Sequence, residues 1–114
     1  MPDEADIDLM TLPDAAQTLG VPRTRINQWI RDGVLLSVRD VAGERCVPAA
    51  FIQQSAVVKG LPGVVTLLRD AGYADDEIIT WLFRDDDSLP GTPIQALREN
   101  RGTEVKRRAQ VSGY

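Results

Sequence analysis

Residues 23 to 31, RTRINQWIR, carry an unusual density of side chains that bond edge-on to flat or anionic partners. A guanidinium can bond bidentately to guanine, an asparagine or glutamine amide to adenine, and a threonine hydroxyl can reach a phosphate. Ile26, Trp29 and Ile30 stand at i, i+3 and i+4, so a helix here would turn these three inward. Arg23, Thr24, Asn27, Gln28 and Arg31 would then lie on the outer side, with Arg25 beside them. Arg23, Thr24, Asn27 and Gln28 are the candidate readers of base edges. The plainer reading is a solvated polar face, since nearly every small soluble helix has one. What raises the stretch above that reading is the order of the elements around it.

Those elements can be placed from local signals. TLPDAAQTLG puts Leu12, Ala15, Ala16 and Leu19 at helical spacing, with Pro13 suited to a first turn and Gly20 to a left-handed stop. Val21 and Pro22 make the turn, Pro22 opens the second helix, and Gly33 ends it. VLLSVRD and ERCVP then read as two β-prone runs around VAG, a hairpin with Gly43 in its turn. Arg39 and Arg45 flank that loop and would sit near phosphates. AAFIQQSAVV reads as a short helix. KGLPG, residues 59 to 63, is the candidate boundary between two subregions. Beyond it, VVTLLRDAG, DDEIITWLF, TPIQALREN and TEVKRRAQV read as helices. Thr92 and Gln95 stand in capping-box spacing, and the last helix ends at the basic cluster Lys106, Arg107 and Arg108.

The predicted fold class is mainly α with a small β-hairpin wing: a winged helix-turn-helix followed by a helical C-terminal region. Residues 1–10 are expected to be a flexible acidic arm, 11–58 the winged unit, and 59–114 a helical interaction or dimerisation region. In a winged helix-turn-helix the second helix enters the major groove and the wing touches adjacent backbone. The chain has 114 residues and a formal net charge of -4, which sits awkwardly with a polyanionic partner. The acid lies elsewhere, however. Residues 1–20 hold five acids and no base, residues 21–50 hold five arginines against three acids, and residues 51–114 hold eight bases against nine acids. With a screening length of about 8 Å, a local arginine patch can hold phosphates while distant acids act weakly. Five arginines imply weak binding by a monomer. A homodimer would double the contacts and favour half-sites about one helical turn apart.

LPDAAQTLGVPRTRINQWIRDGVLLSVRDVAGERCVP is similar to the winged helix-turn-helix of the excisionase and MerR-like group. The whole chain from about residue 11, with the later markers VVKGLPGVVTLLRDAGYADDEIITWLF and VKRRAQ, resembles a small actinobacterial family of winged-helix DNA-binding proteins with a helical C-terminal domain. The resemblance implies double-stranded DNA as the partner, contacted through the second helix and the wing, and a role in transcription regulation or on the nucleoid. Pro22 departs from the wider group, where a serine N-cap is usual, and so loses a capping oxygen. A second resemblance, of AGYADDEIITWLFRDDDSLPGTPIQALRENRGTEVKRRAQV to the helical domain of certain Xre-type antitoxins, implies the alternative: a C-terminal half that holds a protein partner. Trp81, Leu82 and Phe83 are the most apolar cluster there, either an interaction patch or simply core.

Other chemistries find little support. Without histidine and with Cys46 alone, the chain has no ordinary triad, no disulfide and no set of ligands for structural zinc, and Cys46 reads as a small packed residue. KGLPG lacks the spacing of a phosphate loop. RDDDS reads as a solvated turn rather than a cation site. Neither catalysis nor a cofactor is expected. The acidic start MPDEADIDLM is unlike a signal peptide, and no run is long and apolar enough for a membrane span, so a cytoplasmic, nucleoid-associated protein is expected. Thr11, between the arm and the first helix, is a candidate phosphorylation site for a Ser/Thr kinase. A phosphate there would add about -1.5 to -2 charges and weaken DNA binding.

Overall fold

The computed structural model describes residues 7–85 and 91–112. The RDDDS turn lies largely outside these, as does most of the acidic arm.

Two short helices open the molecule, α1 (Leu12–Leu19) and α2 (Arg23–Asp32). Thr11 caps α1, its Oγ1 accepting from the Asp14 N–H at 3.2 Å, and Gly20 stops it at φ 69°. That left-handed residue is what a chain needs to leave one helix and enter another within three residues. The Val21 N–H returns to the Ala16 carbonyl at 3.0 Å, closing the turn. Pro22 lies just outside α2 as its N-cap rather than at its first helical position, and provides no side-chain oxygen there. Ile26 and Ile30 are buried and Trp29 packs half-buried against the same core, as their spacing requires.

After Gly33 the chain does not enter a strand at once. The Val34 and Leu35 N–H groups both turn back to the Trp29 carbonyl, and Leu35 and Leu36 plunge into the core at 0% exposure. Only Val38–Arg39 of the expected first wing strand pairs, as β2, with β3 (Arg45–Pro48). A third strand was hidden in the expected acidic arm. Leu9–Thr11 forms β1 and pairs antiparallel with the other edge of β3, giving the sheet order β1-β3-β2. Leu9 and Met10 are apolar and half-buried against the core, so the open edge of β3 offers them both hydrogen bonds and a surface.

AAFIQQSAVV is not a helix. Ala49–Phe51 makes one 3-10 turn, and Ile52–Gln53 (β4) pairs with Ala56–Val57 (β5) in a minimal hairpin. Gln54 and Ser55 at its tip both adopt positive φ, 53° and 62°, as a two-residue hairpin turn matching strand twist demands. Phe51 at 0% exposure anchors the segment, and its carbonyl accepts from Val58 at 2.9 Å.

The C-terminal helices are α3 (Leu61–Asp70), α4 (Asp75–Leu82), α5 (Pro93–Arg98) and α6 (Gly102–Ser112). The Thr92 and Gln95 capping box forms as expected. The last helix runs on past the basic cluster to Ser112. Lys106, Arg107 and Arg108 are therefore mid-helix, and the attraction of a helix C-terminus for cations does not explain them. Leu82 is buried, Trp81 and Phe83 pack against the core, and the Phe51 and Phe83 rings stand 5.8 Å apart. One continuous apolar core runs from Ala15 in α1 to Ala109 in α6. No helix among the described residues is long and apolar enough to cross a membrane.

Candidate nucleic-acid interface

Burial of Ile26 and Ile30 fixes the rotation of α2, and that rotation exposes Arg23, Thr24, Arg25, Asn27, Gln28 and Arg31 together. Residues three and four apart are surface neighbours on a helix, so Thr24, Asn27, Gln28 and Arg31 form one contiguous patch. Arg23 borders that patch through Asn27, and Arg25 borders it through Gln28. The structure thus brings the sequence-predicted readers onto one face about 15 Å long. With no acid in its first turn, the N-terminal half of α2 presents arginines and a positive helix end together.

The wing is held by its own turn. Asp40 Oδ1 accepts from the Ala42 and Glu44 N–H groups, each at 2.9 Å, while the Asp40 N–H donates to the Glu44 carbonyl at 2.9 Å. Gly43 takes φ 82°. Arg39 and Arg45 face each other across the two strands, so both guanidinium groups lie on the same exposed side of the wing. Arg39 Nη1 donates to the Gly43 carbonyl at 2.7 Å and Arg45 Nη2 to Ser37 Oγ at 3.3 Å. Each bond uses one of five donors and aims the side chain without neutralising it. Among the described residues, Arg23, Arg25, Arg31, Arg39 and Arg45 form no ion pair with the protein's own acids.

Cys46 lies beneath the wing at 3% exposure. Burial, then the nearby Asp40 and Glu44 charges and its hydrogen bond to Asp40, push its thiol above the ordinary value of 9.0. It is thus kept protonated and packed, the opposite of an activated nucleophile. Among the described residues no cluster of acids and thiols is arranged to hold a metal ion.

Comparison with known proteins matches this arrangement across the whole chain. The family model described as "DNA-binding protein Rv2175c, wHTH domain" matches residues 4–52, and that described as "Rv2175c C-terminal domain of unknown function" matches 58–113. A relative from Mycobacterium tuberculosis (strain ATCC 25618 / H37Rv), named DNA-binding protein Rv2175c, is 40% identical over 125 residues, which cover 99% of this chain and 84% of the relative. The chain belongs to the Rv2175c family. The NMR structure of Rv2175c superposes with a TM-score of 0.88 at 38% identity, covering 100% of this chain and 86% of that one. The actinobacterial winged-helix resemblance drawn from the sequence is thereby borne out, as is the fold class. The interval between the two Rv2175c-family matches, residues 53–57, holds the turn and second strand of the β4–β5 hairpin, part of the segment AAFIQQSAVV that was expected to be a helix.

Sequence reasoning missed one residue at this face. Arg69, in the last turn of α3, reaches across to the end of α2: its Nη1 donates to the Arg31 carbonyl at 3.3 Å and its Nη2 to the Ile30 carbonyl at 3.4 Å. Nothing in the sequence marks a contact 38 residues away, because an arginine closing a helix already has a local reason to be there.

Proposed function

We propose that this chain binds double-stranded DNA, with α2 in the major groove and the wing against the flanking backbone, as a transcriptional regulator or nucleoid-associated factor. The observation that carries the reading is the set of five exposed arginines on α2 and the wing, none paired to an acid of the described chain, around an outward Thr24, Asn27 and Gln28. Cations left unpaired on one helix and one hairpin are available to an external anion. The name of its Rv2175c relative supports the same partner. A homodimer would suit the small number of cations by presenting two such faces to a two-fold symmetric site. The rival reading, a protein partner held by the C-terminal half, is weaker because Trp81 and Phe83 are partly buried against the core rather than left as an exposed apolar patch.

The test is fluorescence anisotropy with a random-sequence duplex over a salt series. Binding should weaken linearly in log-log terms, by a slope of about 0.9 for each phosphate neutralised, and Arg23→Ala/Arg25→Ala should flatten that slope by roughly 2 if each arginine holds one phosphate. Absence of binding at low salt by folded protein would sink the proposal. Thr11 belongs in the same assay. Its Oγ1 caps α1 and its backbone pairs with Cys46, so a phosphate installed by a Ser/Thr kinase would add charge at the start of the helix-turn-helix. Thr11→Glu should weaken binding at low salt, and an unchanged affinity would remove the kinase from the account.

A further inference from the structure

The last carbonyls of any α-helix lack partners within it, and α2 is no exception. Its own chain supplies some donors: Gly33 N–H to the Ile30 carbonyl at 3.4 Å, then Val34 and Leu35 to the Trp29 carbonyl. Arg69 adds donors from another part of the sequence, reaching the Ile30 and Arg31 carbonyls. The guanidinium is itself fixed. Nε and Nη2 each lie 2.9 Å from one of the two Asp75 carboxylate oxygens, a bidentate pair that sets the plane of the fork. Asp75 opens α4, where the positive end of that helix favours its charge, and Arg69 closes α3, where the negative end favours a cation. Three helix ends thus meet at one partly desolvated ion pair. Gly33 completes the fit, since a Cβ there would fall 2.9 Å from Arg69 Nη1.

We propose that Arg69 is a positioning residue for DNA binding: held by Asp75, it clamps the C-terminal end of α2 and so gives the C-terminal region a part in setting how α2 meets a duplex. The proposal rests on α2 being the DNA-facing helix. Arg69 has its Nε, Nη1 and Nη2 groups committed within the protein, so it acts through α2 and not by touching phosphate. A small rotation at the clamped end displaces Gln28 and Arg31 together, and base-edge and phosphate bonds tolerate little displacement.

Full-length Arg69→Met keeps the apolar stem and removes the fork. With the same random-sequence duplex, it should bind about three- to thirtyfold more weakly than wild type, the range typical of substitutions that act on a site without touching the ligand. The salt slope should stay at the wild-type value. Arg69→Lys should recover part of the loss, because an ammonium supplies charge but not the planar bridge. In free protein, hydrogen exchange at the Gly33, Val34 and Leu35 amides should accelerate in Arg69→Met while Met10 and Val47 in the sheet keep their rates. Wild-type affinity in Arg69→Met, a slope reduced by about one unit, or acceleration equal in sheet and helix would each overturn the proposal. Should Arg69→Met not fold, Asp75→Asn loosens the fork without removing it and gives the same readouts. If wild type itself fails to bind DNA, the functional reading falls, and the exchange pattern alone then decides whether the clamp on α2 exists.

Discussion

Asp40 shows how one side chain can shape a site without entering it. Its Oδ1 organises the wing turn, and its Oδ2 stands 3.8 Å from Cys46 Sγ, so the same carboxylate orders the loop above and discourages ionisation of the thiol below. The pH consequence has a definite sign. A thiol raised in the folded state stays neutral there while the unfolded chain ionises near 9.0, so its contribution to stability is intact below that value and lost progressively as pH climbs from it through the higher folded value. Cys46→Ser unfolding midpoints measured from pH 7 to 10 should therefore fall less between pH 9 and 10 than wild type does. At pH 8 a thiol reagent should label wild type only as fast as the wing opens, since the sulfur is buried.

The hairpins put the same lesson at the scale of the element. Gly43 at the wing turn and Ser55 at the second hairpin both carry positive φ, but only the first is glycine. Ser55→Gly should relieve a strained backbone and raise stability by about 0.5–1 kcal/mol, a melting shift of roughly 2–5 °C. Gly43→Ala should do the reverse by about 1 kcal/mol, with no clash to blame, because open space surrounds its Cβ position. Differential scanning calorimetry of the two variants checks both signs. These positions also mark what could be read from the chain. Gly20, Gly33 and Gly43 announced their stops and turn because glycine is the residue such backbone prefers, and Ile26, Trp29 and Ile30 announced the inward face of α2. Gln54 and Ser55 announced nothing, being ordinary residues held in a rare conformation by the burial of Phe51 and Val58 on either side. The strand Leu9–Thr11 was equally silent, since three residues have no period and its partner strand lies some 35 positions away.

Across the whole molecule, side-chain contacts join the two family-matched regions and the short interval between them. Arg98 Nη1 donates to the Ala50 and Ile52 carbonyls at 2.9 and 3.0 Å, Gln53 Nε2 donates to the Arg98 carbonyl at 3.2 Å, and the Phe83 ring lies tilted against Phe51. Together with Arg69 on α2 and a continuous core, they predict cooperative unfolding rather than two separate events. Trp29 and Trp81 sit one in each region and make the prediction easy to read. In urea, Trp29→Phe and Trp81→Phe proteins, each followed by its remaining tryptophan, should show transitions that coincide with that variant's own circular dichroism transition. Fluorescence that departs from circular dichroism would mean that the regions melt independently.

Arg98 lends its fork to the carbonyls of a segment that belongs to the other half, and that loan carries a consequence for descent. Backbone carbonyls are present whatever residues occupy positions 50 and 52, so drift in those side chains leaves these two bonds intact, while replacing the single arginine removes both. A gene fusion joining the first half to an unrelated helical partner would inherit a winged unit with Phe51 uncovered and the end of α2 unheld.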